Sequence, residues 1–326
     1  MFFFKLLILY FLIYGILFLS GWGICEKTCI AKNAKYKFLL APIIGMIPLS
    51  AIPMYLSFLG VKSLISGWIT FIVFACISIY YLIKSPPHLK KEWNSFFLFL
   101  IIIIGICPSF AVIMKAGYLT SNLQSYSTFV IYLAEYFTNS SANEAVHLDF
   151  NKPFTNMVFE IAQITPFVGH LFFIATISSI FNVLPYKLYL VLSGIAGSFI
   201  PLSVYVACKE GFKLENRISL LISFFVSINI SYYFWPIIGH FPFVTGIVFL
   251  VLGFGFIPDM FKCKKKMDFL LYSLIIAGIM SMYFQLAPYI LGVALLYLFI
   301  HSFIKIPQNT LTSIKNTGII SLITFT

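Results

Sequence analysis

Long apolar runs follow one another along this chain with few polar breaks, and one polar stretch, Lys115 to Glu160, interrupts them. The runs are continuous rather than alternating, which predicts helices and not strands. About 20 apolar residues are needed to cross a hydrocarbon core of about 30 Å. On that measure we expect ten spans, at Leu6–Ile24, Phe38–Leu59, Leu64–Ile83, Phe96–Met114, Ile161–Phe181, Leu188–Cys208, Ile218–Phe234, Phe243–Ile257, Phe269–Phe284 and Leu286–Ile304. The expected fold is thus an all-α, polytopic membrane bundle of about ten transmembrane helices. It divides into a four-helix region (1–114), an outer loop carrying an interfacial helix (115–160) and a C-terminal membrane region (161–326). A last run from Gly318 to Thr326 is too short to span. Since chains seldom stop inside an apolar helix, we expect residues beyond Thr326.

Composition explains why lipid must be the solvent. Mean hydropathy is +1.00, 61% of residues are hydrophobic and only 10% are charged. A soluble domain carries about 25% charged residues, so these charges are too few to cover a water-facing surface. The net charge of +11 need not imply nucleic acid, because the lysines sit in short loops where they orient helices and meet anionic membrane lipid headgroups. Arg217 is the sole arginine, and the abundance of Phe, Ile, Asn and Lys fits an AT-rich, bacterial genome. The first apolar run follows Lys5 and has no small-x-small cleavage site, so it reads as an uncleaved span. Cys25 and Cys29 form a C-x3-C without a nearby histidine, which points to incidental thiols and no metal. No P-loop, dinucleotide fingerprint, zinc cluster or kinase motif is present.

Basic loops mark the cytoplasmic side. Lys27, Lys32, Lys35 and Lys37 follow the first span, and Lys84, Lys90 and Lys91 follow the third. Two crossings separate the groups, so they agree, and both the amino terminus and the 115–160 stretch fall outside. Alternation then carries Lys262, Lys264, Lys265 and Lys266 outside as well, where a lysine cluster is unexpected. Either one crossing between Glu160 and Asp259 is miscounted or the rule fails there.

The outer stretch holds the candidate chemistry. Between Gly117 and Phe137 we expect a surface helix with Asn122, Ser125, Tyr126, Phe129, Leu133 and Tyr136 along one stripe, and Ser121, Gln124, Thr128 and Glu135 along another. A base on this side could be Asp149, Glu135 or Glu144. Asp149 is the only aspartate there, since Asp259 and Asp268 flank the lysine cluster. Further on, Glu160, Gln163, Phe167 and His170 recur at helical spacing, on one face of the span from Ile161. Ionisable groups so deep are costly unless they face protein or a wet cavity. The alternative for each carboxylate is a solvated loop charge, and for His170 a bond to a neighbouring helix.

The run Thr165-Pro166-Phe167-Val168-Gly169-His170, then Leu171-Phe172-Phe173 and Leu184-Pro185-Tyr186-Lys187, resembles the Tyr-Pro-x-Gly-x-His helix of polytopic membrane glycosyltransferases of the GT-C type. Ala41-Pro42-Ile43-Ile44-Gly45 is similar to an early helix of their relatives. The resemblance implies transfer of a sugar from a polyprenyl-phosphate donor, in cell-surface polysaccharide assembly. It also implies an outer-loop carboxylate acting as base or as partner of a divalent cation. The chain departs from the pattern after Ala116-Gly117-Tyr118, where Thr120, Ser121 and Asn122 replace the expected Asp, with Tyr126 following. Asparagine cannot act as a base, so the carboxylate must be another one. Lys115 and Lys152 are the candidates for holding phosphate, as point charges. Two other classes stay open. One is a transporter or lipid-carrier flippase that uses Glu160, Gln163 and His170 as a polar path and the proline-rich second span as a broken helix. The other is a non-catalytic membrane scaffold.

Overall fold

A computed structural model describes residues 2–28, 34–86, 93–116, 125–146, 168–229, 241–262 and 266–304. All regular structure among them is helical. The helices are α1 (Phe2–Lys27), α2 (Ala34–Phe58), α3 (Ser63–Lys84), α4 (Trp93–Ala116), α5 (Ser125–Asn139), α6 (Ala142–Val146), α7 (Gly169–Phe181), α8 (Pro185–Val206), α9 (Asn216–Ile228), α10 (Phe241–Lys262), α11 (Lys266–Tyr283) and α12 (Ala287–Ile304). A π-turn at Ala207–Gly211 follows α8, and a 3-10 turn at Phe284–Leu286 joins α11 to α12. Six helical stretches are long and apolar enough to cross a membrane: Phe2–Lys27, Lys37–Phe58, Ser63–Lys84, Leu98–Lys115, Pro185–Lys209 and Tyr272–Ile300. Such a set suggests an integral membrane protein. The helix α2 continues through Pro42, Pro48 and Pro53, so it is not the broken helix expected for a transporter.

Several helices are inside out by the standard of a soluble protein. Along α3 the buried residues are Ser63, Ser66, Gly67, Thr70, Ala75 and Ser78, while Leu64, Ile65, Trp68, Ile69, Ile72 and Val73 are exposed. The helix α9 buries Ser219, Ser223 and Ser227, one turn apart, and exposes Ile218, Leu221, Phe225 and Ile228. In water this would waste every large side chain. In lipid there is no gain from hiding them, and small residues win the interior because they let backbones approach. The helices α1 and α2 meet in this way: a Cβ on Gly21 would collide with the Ala41 carbonyl, and one on Gly45 with the Leu17 carbonyl. Several hydroxyls in the seams find partners across them. Tyr10 and Ser109 are 2.7 Å apart, Tyr14 bonds Ser198, and the Ser223 hydroxyl donates to the Pro201 carbonyl at 2.5 Å.

These contacts fix the direction of each helix. Gly21 faces Ala41 and Gly45 faces Leu17, so α1 and α2 are antiparallel. Tyr10 meets Ser109 and Gly194, and Tyr14 meets Ser198, so α8 runs parallel to α1 and antiparallel to α4. Tyr205 pairs with Asn216 and Pro201 with Ser223, which turns α9 back along α8. Phe241 stacks near Tyr189 while Gly255 faces Ala207, so α10 runs parallel to α8. Ile275 and Ile290 both approach Gly253, which requires the chain to reverse between them. The stretch Tyr272–Ile300 is therefore two legs, α11 and α12, in agreement with the two abutting spans expected there.

The result is a bundle with two distinct ends. At one lie Lys27, Lys37, Lys84, Lys209, Lys213, Arg217, Lys262 and Lys266, a basic end; the other, far end carries Lys5, Lys62, Lys115 and Lys187. Among the described residues, α1, α2, α3, α4, α8, α10, α11 and α12 each run between these ends, and α9 starts at the basic end. Of the expected span Ile161–Phe181, the described part is the helix from Gly169 to Phe181. The helix α7 has 13 residues, or about 20 Å. Both Ala142 before it and Pro185 after it stand at the far end, so the chain comes back to the end it left. Removing that crossing puts Lys262 and Lys266 beside Lys27 and Lys84, and the conflict in the lysine count disappears.

Candidate functional site

The far end is where the chain stops passing and gathers α5, α6 and α7. The helix α5 forms as expected, but its buried face is Val130, Leu133, Ala134 and Phe137, with Phe129 and Tyr136 half-buried at the flank. The expected stripe is thus rotated by about one residue, because the helix turns its most apolar side onto α7, where the Phe137 and Phe172 rings lie 4.7 Å apart. Tyr132 projects outward.

The short helix α6 is held against the turn between α2 and α3. The Ala142 amide donates to the Ser57 hydroxyl at 2.7 Å. Its first turn carries a capping box: the Ser141 amide donates to Glu144 Oε2 at 3.3 Å, and the Glu144 amide to the Ser141 hydroxyl at 3.1 Å. The Glu144 carboxylate, one of the candidate bases, thus has a structural task. The spacing Ser141-x-x-Glu144 was a readable signal for it. Beside it, burial pushes the Tyr136 phenol above its ordinary pKa, the Ser140 hydroxyl opposes the shift and the Glu144 charge adds to it.

Glu135 is half-buried on α5, and Lys115 is exposed at the end of α4. Tyr126 lies in the first turn of α5, within the described backbone only. Asp149, Asn122, Lys152, Glu160 and Gln163 lie outside the described residues. Glu135, Glu144 and Lys115 thus share the far end.

His170 is described and is 6% exposed. It stands in the first turn of α7, since Val168 (φ −110°, ψ 22°) is not helical and the helix begins at Gly169. The single helical face drawn from Glu160 through Phe167 to His170 therefore does not continue through Val168. Gly169 lets α7 approach α11 closely: a Cβ there would stand 2.7 Å from Ser281 Cβ. The neighbouring imidazole lies against the Met282 backbone in the last turn of α11. His170 so stands beside the Phe284–Leu286 reversal, against residues of α11 that spacing arguments along one helix had no means to find. Its Nδ1 is buried with no hydrogen-bond partner among the described residues. Among those residues, no group of three His, Cys, Asp or Glu side chains is placed to hold a metal ion.

No known protein family, curated protein or solved structure matches the chain.

Proposed function

We propose that this is a multi-pass protein of a bacterial cytoplasmic membrane, with the basic end in the cytoplasm and the far end outside. We further propose that it is a GT-C-like glycosyltransferase working at the far end. The observation that carries this reading is the gathering of α5 and α6 at the far end, where Glu135 and Glu144 join Lys115 of α4. The donor is a sugar on a polyprenyl phosphate. A carboxylate takes the proton of the acceptor hydroxyl, and the oxygen attacks the anomeric carbon. The bond from that carbon to the phosphate oxygen breaks, and the lipid phosphate leaves with the electron pair. Glu144 is occupied by its capping box, which leaves Glu135 and Asp149 as the preferred bases.

One observation favours a second reading, transport along a polar path: the buried His170 nitrogen without a partner. Sugar transfer from polyprenyl-phosphate donors, in membranes holding the full chain, separates the two. Loss of transfer in Glu135→Gln or Asp149→Asn, at equal protein level, is the expected result. If both variants transfer as well as the parent, the assigned bases are wrong. If no donor is used at all and flux across sealed vesicles falls in His170→Ala, the transporter reading replaces the enzyme.

A further inference from the structure

At the basic end, the last turns of α1 and α3 place two lysines against two tyrosines. Lys27 Nζ lies 6.0 Å from the Tyr81 ring centre and Lys84 Nζ 5.7 Å from that of Tyr80, and the two rings meet edge-on at 5.3 Å. Both lysines are exposed. The carboxylate nearest in sequence, Glu26, is taken by Lys37 at 2.9 Å. Lys27 and Lys84 thus have no acidic partner among the described residues. Each sits at a helix C-terminus, which carries about half a negative charge, so a full positive charge on each side chain leaves the pair cationic. Directly along α3 runs an exposed apolar track, Ile72, Cys76, Ile79 and Ile83, spaced by 4, 3 and 4 residues on one face. Ile83 at its top is 78% exposed, beside the half-exposed Tyr80.

We infer that this corner is a binding site for an anionic phospholipid, with the headgroup phosphate between Lys27 and Lys84 and an acyl chain along Ile72 to Ile83. Charge chooses the headgroup: two unneutralised cations at the membrane boundary attract a phosphodiester without a balancing ammonium. The tyrosines hold both ammonium groups over their faces and offer hydroxyls to the same level, where amphipathic rings are favoured. The track below the lysines distinguishes a lipid from free phosphate, which has nothing to place there. The site is independent of the sugar-transfer reading.

A third lysine–tyrosine pair supplies an internal control. Lys187 Nζ lies 5.6 Å from the Tyr186 ring, but at the far end, without the second cation. The experiment is retention of phosphatidylglycerol against phosphatidylcholine by the purified full chain, read by native mass spectrometry. Parent and Lys187→Gln should prefer phosphatidylglycerol equally. Lys27→Gln with Lys84→Gln should lower that preference about twenty-fivefold, the product of two lysines worth about fivefold each near an anionic surface. Inorganic phosphate at millimolar concentration should not displace the lipid. An unchanged preference in the double variant, with an unchanged elution profile, overturns the site. Displacement by inorganic phosphate would show that an anion binds without a lipid, and overturns it too.

Discussion

The helices α3 and α8 have the same length, similar apolarity and the same course from the far end to the basic end, yet one is half exposed and the other almost wholly hidden. The helix α8 is covered by α4, α9 and α10, with α7 also against it; α3 touches α1, α2, α5 and α7 and leaves its other side open. Apolarity does not separate them. What does is where the small residues sit. On α8, Ser193, Gly194, Gly197, Ser198 and Ser203 are all buried, with Gly194 against Ser109 and Ser198 against Gly105. On α3 the small residues form one stripe, and the opposite side is Leu, Ile and Trp. On these two helices the placement of small residues decides which faces meet other helices, because lipid accepts any apolar group equally well.

That difference can be broken on either helix. The largest effect is expected from Ile72→Lys, in the middle of the exposed side of α3. A lysine at mid-membrane costs about 3 kcal/mol, and the fraction of chain inserted, read by glycosylation mapping, should fall steeply. A smaller loss is expected from Gly105→Leu on the α4–α8 seam, where a Cβ would stand 2.5 Å from Ser198 Cα. Overpacking of this kind costs about 1–3 kcal/mol. It should lower the unfolding temperature in detergent, whereas Ile72→Leu should not move it. The smallest is Ser78→Ala. It removes the acceptor for the Gly23 amide at 2.8 Å and should cost about 0.6 kcal/mol, an average for hydrogen bonds between helices in membranes. If Ser78→Ala proved as damaging as Gly105→Leu, hydrogen bonding and not size would govern the seams.

Much of the bundle was legible because a membrane helix declares itself by length and apolarity, without reference to its neighbours. The ends of α1, α2, α4, α8, α11 and α12 fall within a few residues of the expected spans. The course of α7 was not legible in this way. The run 161–181 is apolar and long enough to span, and only the break at Val168 reveals that the helix starts at Gly169. The one available warning was indirect: a lysine cluster on the wrong side, 80 to 100 residues downstream. His170 illustrates the same limit at a single residue. Its spacing from Glu160 pointed along one helix, while the imidazole lies against the Met282 backbone of α11, a neighbour set by the reversal of that helix and by nothing local. The carboxylates fared differently. Glu144 was visible as a candidate and as a helix cap from the same four residues, and the capping geometry assigns it the quieter role.

Phe2 stands at the far end of the bundle and Ile304 at the basic end. If the bundle spans a bilayer, a protease, antibody or membrane-impermeant reagent that reaches one is blind to the other.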